Sequence, residues 1–417
     1  MPFILSGNVG SATAATGFDV DNSVRFNSVD SASMEKDAVA PTDNNKWTFS
    51  AWVKRSKFGG LREIFYGDDG STTNYCTIRF NDADNTLTFK NRPGSTTSTL
   101  TTTQVFRDVA AWYHLVVVLD TSNGTAANRD IIYINGVRET NFSTESHSGD
   151  GDACYINSDG DAMKISKGNS ASFFDGYMAE VNFIDGQALA ADSFGEFDGD
   201  SGIWKPIDAS GLTFGNNGFY LDFKASGNLG NDANGGTDLT ETNLAAGDQS
   251  TDTCTNNYNV LNTITQYGSH TLGEGNTELL GDTGYNHQGT TFGVNKGKWY
   301  VEIKCITDAA NPVIFIAEEG SPATVNPYGG TNGVGVKEFG YVNDGKKKGN
   351  AGDFTSYGAT WTAGNIISMA YDADNGTLWF AKNGAWQASA TKTEIENGTT
   401  TNAAFTGVTE RLTPASA

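Results

Sequence analysis

The chain has 417 residues, with 50 glycines, 8 prolines and 11% aromatic side chains, enough for two or three domains with sizeable cores. Its 27 basic and 49 acidic side chains give a net charge of −22, a field that repels phosphate backbones and so excludes nucleic acid as an expected partner. No run of about 20 apolar residues is present, so no membrane insertion is expected, and no long stretch carries apolar residues at helical spacing.

Residues 1–22 are small and polar after Phe3-Ile4-Leu5 and read as an N-terminal arm. The opening MPFILSGNVG has no basic segment ahead of its short apolar patch, a poor secretory signal; release by lysis is the expected way out of a cell. Strand candidates then follow closely. Ser23 to Phe26 alternates, and Trp47 to Val53 alternates with aromatic residues on one face. Thr77 to Phe80 and Thr86 to Phe89 flank an acidic turn. Trp112 to Asp120 is almost continuously apolar, which predicts a strand buried on both faces. Ile131 to Ile134 runs into Asn135-Gly136, a hairpin signal. Phe174 to Ile184 reads as a strand pair or one long strand, and Gly218 to Phe223 closes the set. Short strands with frequent turns predict a sandwich over residues 23–224.

Residues 225–285 are rich in Asn, Gly, Asp and Thr, a composition that predicts an irregular connector. A second strand series fills 286–417: Gly297 to Lys304, Val313 to Ala317, Gly333 to Val336, Phe339 to Tyr341 and Ile366 to Asp372. In YDADNGTLWFAKNGAW, residues 371–386, Asn375-Gly376 and Asn383-Gly384 bracket Thr377 to Lys382, predicting strand, turn, strand, turn, strand. Asp120 to Gly136 repeats the same logic in the first half. The expected fold class is therefore all-β, two antiparallel sandwiches of jelly-roll type joined by the connector.

Cys76, Cys154, Cys254 and Cys305 are scattered, without the spacing of a zinc site. They read as buried thiols of a protein assembled in a reducing cytoplasm, with two disulfides as the alternative. Glycan hydrolysis would need paired carboxylates about 5–9.5 Å apart. Glu196-Phe197-Asp198 comes nearest to an ExDxxE pattern, but Ser201 stands where the last acid belongs. Glu318 and Glu319 are adjacent and would point to opposite faces of a strand. His114, His147, His270 and His287 fall in no catalytic motif, and His114 reads as a core residue. The expectation is a protein that is not an enzyme.

The motifs WTFSAWVKR (47–55), AWYHLVVVLD (111–120), IYINGV (132–137) and FDGYMAEVNFIDG (174–186) resemble, in order, the laminin G-like branch of the concanavalin A-like superfamily. GKWYVEIK (297–304) and ISMAYDADNGTLWFAKNG (367–384) resemble a SPRY domain, although that family has further strands after this hairpin region and the chain stops at Leu412 to Ala417, so the second sandwich is expected to be incomplete at its C-terminus. The combination, with MPFILSGNVG and FDGYMAEVNFIDGQAL, resembles structural proteins of marine tailed bacteriophages. That resemblance implies a virion surface protein: a head decoration, appendage or tail-fibre-like subunit. It would be a homo-oligomer among other capsid or tail proteins, adhering to host-surface glycans. A bacterial adhesin of the same fold is the alternative. The laminin G resemblance also implies calcium at a loop end, for which Asp120, Asp150, Asp152, Asp159 and Asp161 are the candidates. Glycan-stacking candidates are the aromatic residues in loop-like sequence: Tyr155, Trp204, Tyr328, Tyr357 and Trp361.

Overall fold

The computed structural model describes residues 17–169, 172–267, 270–281, 287–307, 312–318, 338–349, 354–408 and 412–416. Most of the arm, the Gly333 to Val336 candidate strand, Glu319 and Tyr328 lie outside them. The chain forms two compact units that meet in sequence between Asn257 and Tyr258. Both are antiparallel β-structures, as expected. Among the described residues no helix is long and apolar enough to cross a membrane.

The first unit is a sandwich of two eight-stranded sheets. One sheet runs Val137–Arg138, Asp130–Ile134, Trp112–Asp120, Lys46–Arg55, Gly176–Asp185, Ser23–Phe26, Gln249–Ser250, with Phe219–Leu221 also paired to Gly176–Asp185. The facing sheet runs Phe142–Ser146, Ser98–Val105, Thr86–Arg92, Tyr75–Phe80, Arg62–Asp68, Ala162–Ile165, Ser33–Asp37, Thr240–Thr242. Alternation sends Trp47, Phe49, Ala51 and Val53 inward from Lys46–Arg55 to meet Phe65, Ile78 and Phe89 of the facing sheet. Phe49 stacks on Phe65 at 4.7 Å, and Trp47 meets Phe89 edge-on at 5.7 Å.

The outward face of the first sheet is also covered. Val116, Val118 and Ile184 pack under Phe194, Phe214 and Tyr220, so Trp112–Asp120 is buried on both sides through its centre, as its apolar run predicts. Trp52 lies with Val20 and Ala179 beneath Trp204 and Cys254. Lys54 is 1% exposed; its Nζ sits 2.9 Å from Asp252, itself 2% exposed, and 2.7 Å from Asn257 Oδ1. Trp112 Nε1 donates to the same carboxylate at 3.1 Å.

Further contacts order part of the expected connector over 225–285. Leu229 and Leu239 enter the core, Thr240–Thr242 and Gln249–Ser250 extend the two sheets, and the stretch divides between the units at Asn257. Its polarity reflects a ribbon whose few apolar residues are each used, not a lack of structure.

The second unit sets the sheet Leu261–Tyr267, His287–Thr290, Leu412–Ser416, Val313–Glu318, Glu338–Val342, Lys346–Gly349, Thr355–Ser356 beside Lys298–Lys304, Ile366–Asp372, Thr377–Lys382, Ala385–Trp386. Ile314, Ile316, Tyr341, Trp361, Met369 and Phe380 share its core. The strand Leu412–Ser416 pairs on both sides, with Val313–Glu318 and with His287–Thr290. The meander 366–386 forms as expected, but its turns differ. Asn383 and Gly384 both have positive φ and join Lys382 to Ala385 in a two-residue turn. Asn375-Gly376 instead ends a four-residue loop, because the Asp372 carboxylate accepts from Asn375 N and Nδ2 and widens it.

Removing the partner of a buried charge leaves an uncompensated ion. Asp252→Ala is expected to lower stability by about 3 kcal/mol in urea unfolding, whereas Lys167→Ala, in a half-exposed pair with Glu35, costs under about 1 kcal/mol. Equal effects would show that the Lys54–Asp252 pair does not hold the 250–257 segment.

Candidate functional site

The outward face of the second sheet carries the polar side chains that alternate with the core set. Tyr75, Thr77 and Arg79 stand on one strand, Thr88, Lys90 and Arg92 on the next, and Glu63, Tyr66 and Asp68 on the other side. Tyr66 and Tyr75 are diagonal neighbours and stack at 5.9 Å with 20° between their planes. Tyr66 is only 3% exposed, with Lys164 Nζ 5.5 Å over its ring and 2.9 Å from Asp68. Tyr75 is half-buried, with two cations over its ring, Lys90 5.4 Å and Arg92 5.8 Å from the centroid. Burial pushes the Tyr75 hydroxyl up, but hydrogen bonds from Lys90 and Arg92 outweigh it and leave the group below the usual phenol value. Burial and then Asp68 push Tyr66 the other way.

Next to Tyr75, the loop 69–74 is closed by Asn74 Nδ2 on Asp69 at 2.6 Å and by Gly94 N on Asn74 Oδ1 at 2.9 Å. Tyr155 belongs to the same end of the sandwich. Burial raises its hydroxyl pKa, and the Asp69 and Asp161 carboxylates add to that. Gly67 lets the Tyr155 backbone pass closely, since a Cβ at Gly67 would overlap the Tyr155 carbonyl.

Of the other sequence candidates, Trp361 is corrected to a packing residue, and Trp204 is half-buried among its neighbours. Trp204 stacks over His114 at 5.9 Å, donates Nε1 to His114 Nδ1 at 3.0 Å, and occupies space that Gly136 and Gly195 leave open. Trp361 is 1% exposed inside the second core. Tyr357 is half-buried edge-on to Tyr341 at 5.6 Å, and its hydroxyl accepts from Phe380 N at 3.3 Å. A loop-like local sequence does not reveal that another layer lies on top. Tyr66 and Tyr75 were missed because they sit in strands; the signal was the period of two in Tyr75-x-Thr77-x-Arg79 and Thr86-x-Thr88-x-Lys90-x-Arg92.

The five calcium candidates are not brought together. Asp120 accepts from Ser122 Oγ at 2.6 Å, and Asp152 closes on Gly149 N at 2.6 Å in a loop tied to Thr121 by Gly151 N. Asp150 and Asp159 are exposed, and Asp161 lies near Asp68 and Asp69. Among the described residues no three His, Cys, Asp or Glu side chains form a group able to hold a metal ion.

Glu63 and Glu180 each have a pKa raised to about 7, with burial the main cause. Thr77 Oγ1 and Arg79 face Glu63, and Tyr220 donates to Glu180 at 2.7 Å. Glu63 lies on the outward face of the second sheet and Glu180 on that of the first, with the core between them. They cannot work as a pair across one glycosidic bond. His114, buried between Trp52 and Trp204, falls to about 3 through burial and stays neutral.

Residues 24–193 match the family model of the concanavalin A-like lectin/glucanase superfamily, in its laminin G form. That match falls within the first unit and shows its similarity to the laminin G-like, concanavalin A-like family. Among solved structures, the chain is similar to a protein from Bacteroides ovatus described as carbohydrate-binding (19% identity, TM-score 0.37, 54% of this chain and 61% of that one). It is also similar to domains LG4-5 of the mouse laminin alpha1 chain (9%, 0.32, 99% and 84%). A third similarity is to the SPRY domain of human HERC1 (16%, 0.24, 33% and 77%).

The Glu63 carboxyl holds its proton in the folded first unit up to about pH 7, but in the unfolded chain only to its ordinary 4.5. Folding therefore takes up a proton between these values, and stability falls as pH rises through that window. Glu63→Gln is expected to flatten that fall, gaining on the order of 2 kcal/mol over wild type at pH 8 and nothing at pH 4. Parallel urea curves at both pH values would contradict the burial cause.

Proposed function

We propose that this protein is a non-catalytic glycan-binding protein whose ligand lies across Tyr75. The observation that carries the reading is the half-buried Tyr75 ring, backed by Tyr66, with Lys90 and Arg92 over it and the 69–74 loop and Tyr155 beside it. An aromatic face gives a sugar ring apolar contact, and the surrounding donors meet its hydroxyls. The match of residues 24–193 to the lectin/glucanase superfamily supports glycan recognition, and the separation of Glu63 from Glu180 supports binding over catalysis.

We further propose that the binding serves adhesion from a virion surface, with the protein assembled among other capsid or tail proteins as a homo-oligomer. Support for this rests on the sequence resemblance of MPFILSGNVG and FDGYMAEVNFIDGQAL to tailed-phage structural proteins.

On an array of bacterial surface polysaccharides, the wild-type chain is expected to bind a defined set, and Tyr75→Ala to weaken that binding about tenfold, or about 1.4 kcal/mol. Trp361→Ala should leave binding intact while unfolding the second unit. Unchanged binding by Tyr75→Ala would move the site elsewhere, and release of reducing sugar would overturn the non-catalytic reading.

Immunogold labelling of purified virions from the source should decorate intact heads or tails. Unlabelled particles, with an antibody that recognises the isolated chain, would remove the virion proposal and favour a bacterial adhesin.

A further inference from the structure

Three of the four cysteines are buried and Cys254 is half-buried; all are thiols. Two of them lie together. Cys76 pairs across its strand neighbours with Gly67 on one side and Asn91 on the other. Asn91 Nδ2 donates to the carbonyl of Ala153 at 3.0 Å. On the other side, the Tyr155 carbonyl and Ile156 backbone lie over the Cα of Gly67. Residues 153 and 155 are thus seated on the two neighbours of Cys76, and Cys154, between them, is seated on Cys76 itself. Both side chains belong to the core of the first unit, at 0% and 3% exposure, and after burial the neighbouring Cys154 thiol is what raises the Cys76 pKa.

We propose that Cys76 and Cys154 are a built cross-linking site, which forms one intrachain disulfide when the chain folds in a thiol–disulfide buffer. The thiolate of one cysteine attacks glutathione disulfide, forming a mixed disulfide and releasing one glutathione thiol. The second cysteine, as thiolate, displaces the other glutathione thiol and closes the protein disulfide. Two protein thiols are oxidised and one glutathione disulfide is reduced. Since the folded core shields both sulfurs, the exchange occurs as the core forms. The bond would anchor the segment 147–161, which carries Tyr155, to the middle of the second sheet.

The test is refolding of the full chain from urea in a glutathione redox buffer, followed by alkylation and peptide mass analysis without reduction. The expected result is one peptide pair joining Cys76 to Cys154, lighter by two hydrogens than the separate peptides, with Cys254 and Cys305 alkylated. The melting temperature of the first unit should rise on the order of 5–10 °C over the reduced protein. Cys254→Ser should leave the linkage unchanged. Four alkylated cysteines in the refolded protein would overturn the proposal, as would linkages through Cys254 or Cys305 in comparable amount.

Discussion

The buried ion pair between Lys54 and Asp252 decides how the rest of the first unit is used. A lysine on the central strand of a sheet cannot remain charged and dry without a partner, and its partner comes from 198 residues further along the chain. Trp112 and Asn257 complete the set, and the segment that supplies Asp252 and Asn257 lies over the outward face of the first sheet. With Phe194, Phe214 and Trp204 covering other parts of that face, the face on which a half-buried aromatic ring meets cationic side chains is that of the second sheet.

Covering the first sheet also accounts for polar groups that would otherwise suggest catalysis. His114 is held neutral between two tryptophans, with Ser50 Oγ 2.9 Å from one nitrogen and Trp204 donating to the other. Glu180 stands at a bulge with φ of 49° and shares its carboxyl with Tyr220. Both have shifted proton affinities because they are buried, and both are fully engaged in packing. The Tyr75 hydroxyl differs in cause: cationic neighbours set its shift, and those neighbours are at the surface.

Much of the architecture was legible locally. The apolar run of Trp112–Asp120, the inward Trp47 and Phe49, and the Asn135-Gly136 and Asn383-Gly384 turns all follow from alternation and from residues that tolerate positive φ. Trp361 was misplaced because tryptophan in a polar stretch fits a surface platform and a core plug equally well. The 225–257 ribbon was missed because two leucines suffice to anchor a strand edge when a core already exists to receive them.

The sequence by itself determined an all-β chain, the positions of most strands and the sites of the tight turns, since each depends on residues close together. Only the tertiary structure decided which of two alternating faces is covered, which carboxyls can act together and which cysteines meet. A period of two separates the faces of a strand but does not say what lies above either one, and the contacts that do, such as Lys54 with Asp252 and Cys76 with Cys154, join residues far apart in the chain.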